Sequence, residues 1–141
     1  MVDQALPVGD YGAVHDEQQD QTIFERKSIS DLFSSFTADR YEAERSKIIR
    51  AKDLGLHYIL AVEGTASDIL RGHSYWHDGE LRESKKSGIS QLRQIYTICR
   101  KYHIEAWFCP DRKLMALQIL EYFLAHERVK PDPTSGAPGG D

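Results

Sequence analysis

The spacing of apolar residues along the chain predicts strands and helices in alternation. Residues 6–8 form a short apolar segment typical of a strand end, and residues 22–27 form a strand candidate after a polar, acidic loop over residues 11–21. Residues 56–62 are nearly all apolar, which indicates a central strand covered on both faces. A further strand is predicted over residues 104–109. These segments would supply the strands of one sheet.

Helices are predicted between these strands from apolar periodicity and capping signals. Ser28 begins a capping-box-like sequence whose helix runs to about residue 36. Residues 89–102 show a strong amphipathic pattern, and Asp111 is the predicted cap of the last helix. The apolar face of that last helix is formed by Leu114, Met115, Leu117, Leu120, Phe123 and Leu124. Two more helices cover residues 40–54 and 67–70, whereas the polar residues 72–88 are predicted to form a long loop.

This alternation indicates an α/β domain in which helices pack on one sheet. A chain of 141 residues is the size of one ordinary domain with a real core. The composition changes after Arg128, because residues 129–141 hold three of the five prolines and three glycines and almost no apolar residue. We therefore expect a folded domain over residues 1–128 and a disordered tail over residues 129–141.

The charge of the chain is mildly acidic overall but locally basic. The formal net charge is −4, which argues weakly against a dedicated duplex-DNA binder. However, residues 40–52 hold five basic residues against two acidic ones, and residues 82–101 hold six against one. These segments could contact a phosphate backbone, although solvated helix faces are the more ordinary explanation for either one.

The cysteine content and the chain start point to an intracellular protein. Cys99 and Cys109 do not suggest a disulfide framework, and residues 1–10 lack the basic and apolar regions of a secretory signal. No apolar run is long enough to span a membrane, so no membrane partner is expected.

One group of polar residues could carry out chemistry at the edge of the predicted sheet. Glu25 and Lys27 alternate along one strand and therefore share a face, roughly 7 Å apart. Asp10 ends the neighbouring strand, and Asp31 lies in the first turn of the helix that follows. These side chains could converge at one end of the sheet.

Such a group suits phosphodiester hydrolysis assisted by a divalent cation. A cation held by carboxylates activates water and stabilises the negative charge of the transition state, and a lysine beside it can position or deprotonate the water. Mg²⁺ needs few protein oxygens, so two carboxylates and a backbone carbonyl suffice. Asp10 and Glu25 are the plausible carboxylate ligands, with Lys27 beside the attacking water.

At this point the sequence resembles a known family. Gly9-Asp10, a spacer, Glu25-Arg26-Lys27, three residues and then Asp31 are similar to the GD-x(n)-ERK-x₃-D signature of XPF-family structure-specific nucleases. These nucleases belong to the restriction-endonuclease-like, PD-(D/E)XK, superfamily, which implies a central mixed sheet flanked by helices. The similarity covers about residues 6–72 well and residues 87–124 more loosely.

The resemblance implies roles for the signature residues. Asp10, Glu25 and Arg26 would be the metal-binding positions for Mg²⁺ or Mn²⁺, and Lys27 would serve the nucleophile. Arg26 and Asp31 complete the predicted catalytic set. From the strand alternation Arg26 points to the opposite face, where it would be structural or contact Asp31. Helix capping alone would account for Asp31.

The chain departs from the family pattern at its start. Members begin with a strand that carries an Asp-x-Arg-Glu-like element, whereas here Met1 lies nine residues before Asp10. We therefore expect an N-terminally truncated member whose sheet has an unpaired edge. A standalone nuclease core of the phage or archaeal-virus type is the nearest likeness.

Weaker signals leave alternatives open. His73 and His77 lie four residues apart, a metal-ligand spacing on a helix, but the segment does not read as a helix. Arg71 and Trp76 in the same segment could touch DNA or be packing residues. The C-terminal helices could form a core face or, by the resemblance, a homodimer interface to which Met115, Leu120 and Phe123 could contribute.

The function predicted from the sequence is a metal-dependent DNA endonuclease, acting on branched or flapped DNA in the cell or in a phage- or virus-infected host. The alternatives are a catalytically silent DNA-binding or dimer-partner subunit and an exonuclease or restriction-type nuclease of the same fold.

Overall fold

A computed structural model describes residues 9–36 and 40–129, except for the side chains of Tyr75 and His77. The predicted strand end at residues 6–8 lies outside the described residues. The predicted tail over residues 129–141 also lies outside them, apart from Val129, and stays a prediction.

The described residues form seven strands, five α-helices and one short 3-10 helix. The strands are β1 (Val14–His15), β2 (Gln18–Gln19), β3 (Thr22–Ser28), β4 (His57–Glu63), β5 (Ser74–His77), β6 (Glu80–Glu83) and β7 (Glu105–Cys109). The helices are α1 (Ile29–Ser35), α2 (Tyr41–Asp53), α3 (Ala66–Leu70), α4 (Gly88–Tyr102) and α5 (Arg112–Leu124), followed by the 3-10 helix Ala125–Arg128. All predicted helices are therefore present within a few residues of their expected limits.

The central sheet has the order β3-β4-β7, and its three strands are parallel. Parallel neighbours need crossover connections, and the helices between these strands supply them. An antiparallel element lies at the outer edge of β3, where Tyr11 pairs with Phe24 through main-chain hydrogen bonds of 2.9 and 3.1 Å. The predicted α/β class with helices flanking a sheet is confirmed, and Tyr11 covers part of the edge that was expected to be unpaired.

Strand β4 is buried on both faces, as its apolar run predicts. Its alternate residues enter two different cores: Tyr58, Leu60 and Val62 face one, and Ile59 and Ala61 face the other. The first core is completed by residues of α1, α2 and α4, namely Leu32, Phe33, Ile48, Ile95 and Ile98. The second core is completed mainly by α5, through Met115, Ile119 and Phe123. The domain thus has three layers, with the sheet in the middle.

Two segments predicted to be loops contain hairpins. Strands β1 and β2 are joined by Asp16 and Glu17, and strands β5 and β6 by Asp78 and Gly79. All four joining residues have positive φ, between 48° and 75°, as two-residue hairpin turns that match the strand twist require. The prediction that these segments are loops was wrong. Their strands are polar and do not pack on the core, so they lack the alternation of apolar and polar residues by which a strand is recognised in a sequence.

The apolar face predicted for α5 is also corrected. Met115, Ile119 and Phe123, spaced by four residues, are at most 4% exposed and form the buried stripe. Four predicted members of the face are instead 36–52% exposed: Leu114, Leu117, Leu120 and Leu124. The helix is apolar on both sides, so periodicity could not show which side meets the sheet.

None of the helices in the described ranges has the length and apolar character needed to cross a bilayer.

Candidate functional site

Glu25 and Lys27 lie on the same face of β3, as the strand alternation predicts. Both side chains are buried, at 5% and 7% residue exposure, in the layer between the sheet and α2. The Lys27 Nζ lies 3.8 Å from the Glu25 Oε2. Charged side chains are rarely buried to this extent unless they are paired, so their burial needs partners.

Helix α2 supplies those partners. Glu44 is 6% exposed, and its Oε1 lies 3.0 Å from the Lys27 Nζ. The Lys47 Nζ lies 3.2 Å from the Glu25 Oε2 and 3.4 Å from the Glu44 Oε2. We call Glu25, Lys27, Glu44 and Lys47 the buried charge cluster, in which two carboxylates alternate with two ammonium groups.

Sequence reasoning missed Glu44 and Lys47. The sequence did contain a signal for Glu44, because Glu44, Ile48 and Ala51 have the spacing of one helix face. All three residues are buried in the structure. A carboxylate in phase with such a buried stripe indicates a charge that faces the core. Ser35 of α1 completes the surroundings, since the Lys27 Nζ donates a 3.0 Å hydrogen bond to its hydroxyl.

Burial and the neighbouring charges shift the pKa values of Glu25 and Lys47 in the cluster. Burial raises the pKa of Glu25, and the nearby charge of Asp10 raises it further, against the opposing effect of Lys47. Burial acts to lower the pKa of Lys47, but the charges of Glu25 and Glu44 outweigh it and raise that pKa. The cluster itself pairs two carboxylates with two ammonium groups, and Asp10 adds one further negative charge near Glu25.

The main chain holds Asp10 beside β3. Gly9 has φ +87°, and a Cβ there would lie 3.2 Å from the Ile23 side chain and 3.3 Å from the Phe24 carbonyl oxygen. The Asp10 amide donates to that carbonyl over 2.8 Å, and the Asp10 Oδ2 accepts a 2.8 Å hydrogen bond from the Arg26 amide. Glycine is therefore required for the close approach that brings this carboxylate to the strand.

The Arg26 side chain lies on the other face of β3, as expected, and it pairs with Glu63, which fits the structural alternative and not the contact with Asp31. Its Nε donates a 3.0 Å hydrogen bond to the Glu63 Oε2, which also accepts from Arg112 over 3.3 Å. The hydrogen bond from Arg26 is the main cause that holds the pKa of Glu63 below its usual value. Glu63 is the last residue of the adjacent strand β4, where it is in register with Ser28. This position brings its carboxylate within reach of Arg26.

Asp31 is exposed in the first turn of α1, where its amide donates a 3.1 Å hydrogen bond to the Ser28 hydroxyl. Ser28 is thus the cap, and the Asp31 carboxylate is placed to interact with the positive end of the helix. The structure thus pairs Glu25 with Lys27, holds Asp10 at the main chain of the same strand, and leaves Asp31 in the first turn of α1.

The predicted basic segment over residues 40–52 is largely engaged within the protein. Arg45 donates to the Tyr102 hydroxyl over 3.0 Å, Lys47 belongs to the buried charge cluster, and Lys52 donates to the His103 carbonyl over 2.8 Å. These three side chains stabilise α2, which favours the structural explanation of the segment over phosphate binding.

The weaker histidine signal lies on the β5–β6 hairpin, not on a helix. His73 stacks on Phe33, with ring centroids 5.6 Å apart, and the side chain of His77 is outside the described part. Trp76 is 72% exposed on the same hairpin, so of its two alternatives the packing one does not apply.

The donor set fits a divalent cation such as Mg²⁺ or Mn²⁺. Asp10 and Glu25 supply hard carboxylate oxygens, and Arg26 could contribute only its main-chain carbonyl, because its guanidinium has no acceptor. The Lys47 ammonium already stands against Glu25 as a cation, which shows that the site accommodates positive charge. With a cation bound, this arrangement could polarise a phosphodiester and activate water beside Lys27.

Comparison with known proteins identifies the fold and the family. A solved structure of XPF from Aeropyrum pernix superposes with a TM-score of 0.60 at 21% identity, over 90% of this chain and 53% of that chain. This chain thus spans about half the length of that relative, and the likeness shows the same fold. No curated protein sequence is significantly similar to the chain. The family model described as the ERCC4 domain matches residues 2–121. The chain therefore belongs to the ERCC4 domain family, the XPF-type nuclease domains that its signature resembles.

Proposed function

We propose that this chain is a divalent-metal-dependent DNA endonuclease domain. The observation that carries the proposal is that Asp10 is held at the main chain of β3, beside Arg26, on a strand whose Glu25 and Lys27 share one buried face. The charge of Asp10 helps to raise the pKa of Glu25, and the Lys27 Nζ lies 3.8 Å from the Glu25 carboxylate. Membership of the ERCC4 domain family supports the same conclusion.

Each residue has a physical role in this proposal. Asp10 and Glu25 would hold Mg²⁺ or Mn²⁺, which supplies Lewis-acid activation of water and of the phosphate. Lys27 is held in place by Glu44 and the Ser35 hydroxyl, so its ammonium has a defined position from which to orient the attacking water. Lys47 is 43% exposed at its side chain and can turn outward when a cation takes its place at Glu25.

The substrate proposed is branched or flapped DNA, on the basis of the resemblance to XPF-type nucleases. An intracellular setting goes with such a substrate. The exposed tryptophan of the β5–β6 hairpin offers an aromatic surface on which an unpaired base can stack.

The test is cleavage of end-labelled flap, branched and linear DNA by the full chain with and without Mg²⁺ or Mn²⁺. Glu25→Gln should lower cleavage by at least about a hundredfold, because it removes an ionised ligand at the reacting centre. Glu42→Gln is the matched control, since Glu42 is on α2 and 74% exposed. Cleavage that is independent of metal, or undiminished in Glu25→Gln, would refute the proposal.

Two alternatives are separated by the same assay. A catalytically silent subunit would bind DNA in a salt-dependent manner without cutting it. An exonuclease would release short products from linear ends, and a restriction-type enzyme would cut linear duplex internally without regard to branching.

A homodimer through the C-terminal helices is part of the proposal. Leu117, Leu120 and Leu124 of α5 are 52%, 36% and 41% exposed, although the opposite side of the helix is buried. A second apolar face on one helix is typical of a protein interface. Sedimentation of Leu117→Glu against Glu121→Gln, an exposed change on the same helix, tests it: loss of the dimer in the first variant alone is expected, and a monomeric parent would overturn it.

A further inference from the structure

A second group of potential metal ligands lies far from the buried charge cluster along β3. His15 ends β1, Asp20 lies just before β3, and His126 belongs to the 3-10 helix that follows α5. One ligand atom of each residue lies within 4.8 Å of those of the other two. Glu25 is the fourth residue of β3 and Lys27 the sixth, so Asp20 lies about 16 Å before Glu25 along the chain, and this group is separate from the proposed active centre.

The Asp20 carboxylate is oriented toward the histidines by the main chain. Its Oδ1 accepts a 2.8 Å hydrogen bond from the Thr22 amide, which leaves Oδ2 directed at the His15 Nε2, 3.0 Å away. The same end of β3 is joined to α5, because the Thr22 and Tyr122 hydroxyls lie 3.1 Å apart. Asp20 is therefore a preorganised oxygen donor on a supported part of the fold.

The His15 ring stands between two carboxylates. Its Nε2 faces Asp20, and its Nδ1 lies 3.5 Å from the Glu127 Oε1. A neutral imidazole has a single N–H and can donate to only one of them. The contact between Nε2 and Asp20 is a hydrogen bond, and a cation between these two atoms would take the place of its proton. The proton of His15 would then lie on Nδ1, beside the Glu127 carboxylate, and histidines that bind metals commonly have a carboxylate at their other ring nitrogen.

His126 supplies the third donor. Its ring stacks on that of His15, with centroids 3.9 Å apart and planes inclined by 16°. His126 is exposed, so its side chain can rotate to bring a ring nitrogen to the bond length of about 2.0–2.1 Å that Zn²⁺ requires.

We propose that His15, Asp20 and His126 form a transition-metal site, with Zn²⁺ as the fitting ion. Two imidazole nitrogens and one carboxylate suit Zn²⁺, whereas Mg²⁺ prefers oxygen ligands alone. Glu127 would lie beside the other ring nitrogen of His15, and three protein ligands would leave one position of a four-coordinate Zn²⁺ for water. The ion ties the 3-10 helix to the β1–β2 hairpin, which directly follows the segment that carries Asp10.

The test uses the full chain with Glu25→Gln as the parent, so that the proposed nuclease metal site is disabled. Zn²⁺ is titrated by calorimetry, and Co²⁺ is used as an optical probe of the coordination sphere. The parent should bind one Zn²⁺, and Zn²⁺ should raise its Tm because it binds the folded state. His126→Ala and Asp20→Asn should each weaken binding at least about tenfold, a loss of roughly 1.4 kcal/mol or more.

His57→Ala is the matched control, because His57 also pairs with a carboxylate, that of Glu105, on the surface. It should bind Zn²⁺ as the parent does. His126→Ala removes an exposed side chain, and far-ultraviolet circular dichroism checks that it folds. No Zn²⁺ binding by the parent, or equal affinity in parent and His126→Ala, would overturn the site. Either result leaves the nuclease proposal untouched, because that rests on metal-dependent cleavage by the unmodified chain.

Discussion

Replacing Glu44 by glutamine tests whether the buried charge cluster is held together as the structure indicates. Glu44 contacts Lys27 over 3.0 Å and Lys47 over 3.4 Å, and its side chain is 8% exposed. Glutamine has nearly the same size and shape, so the change removes the negative charge without leaving a cavity. The cluster then keeps two ammonium groups with one carboxylate.

The expected loss of stability depends on which partners Lys27 and Lys47 keep after the substitution. Removing one partner of a buried ion pair commonly destabilises a protein by about 3–5 kcal/mol, because the other charge stays buried and uncompensated. Here Lys27 keeps the Ser35 hydroxyl at 3.0 Å and Glu25 at 3.8 Å, and the Lys47 side chain is 43% exposed and can reach water. We therefore expect a loss below this range, about 2–3 kcal/mol, or a fall in Tm of roughly 5–10 °C for a domain of this size.

The assay is urea unfolding at neutral pH, compared with Glu42→Gln. Glu42 lies on the same helix, is 74% exposed and pairs with Arg45 over 3.2 Å, so its replacement should change the free energy of unfolding by less than about 0.5 kcal/mol. The Glu44 variant should show a lower midpoint with an unchanged slope. If it is no less stable than the Glu42 variant, the carboxylate of Glu44 does not compensate Lys27, and the reasoning fails.

Three further predictions concern the proposed metal site. Lys47→Met should tighten Mn²⁺ binding several-fold to tenfold in calorimetry, because the ammonium that competes at Glu25 is gone; Lys52→Met on the same helix should leave the affinity unchanged, and an effect of equal size there would contradict a local competition. Mn²⁺ affinity should fall as the pH is lowered from 7 to about 5. Burial and a neighbouring carboxylate raise the pKa of Glu25, so protons compete with the cation at a higher pH than they would at an ordinary glutamate. An affinity that does not change over this range would count against Glu25 as a ligand. Gly9→Ala should lower both stability, by about 1–2 kcal/mol, and Mn²⁺ affinity, because φ is +87° and a Cβ would lie 3.3 Å from a main-chain carbonyl oxygen. Gly55→Ala is its control, with φ +73° and nothing within 4 Å of the added Cβ, and it should affect stability alone.

The strands and helices around the core were largely predictable, because the residues on their buried faces are apolar and recur at a regular spacing along the sequence. Strand β4 is apolar at successive positions since both its faces are covered, and α4 shows one apolar stripe since only one side is covered. Helix starts were predictable where a side chain caps the main chain, as Ser28 and Asp111 do. These signals are local, so the sequence displays them directly.

The hairpins and the packing side of α5 were not predicted, and the reasons differ. The β5–β6 hairpin has polar, exposed strands, and only the Asp78-Gly79 pair marked its turn. Helix α5 has apolar residues on two sides, and the choice of Met115, Ile119 and Phe123 as the buried stripe depends on the sheet that they meet. The spacing of apolar residues identifies a buried side only when the other side of the helix is polar, and this helix is apolar on both sides.

By itself the sequence determined the alternation of the fold, the family signature and the shared face of Glu25 and Lys27, because each depends on residue type and on spacing along one chain segment. Only the tertiary structure decided which groups neutralise those two residues. It brought Glu44 and Lys47 of α2 against them, paired Arg26 with Glu63, and placed His126 beside His15. A charge can be buried only if a partner arrives from elsewhere in the chain, and the arrival of that partner is set by how the layers pack.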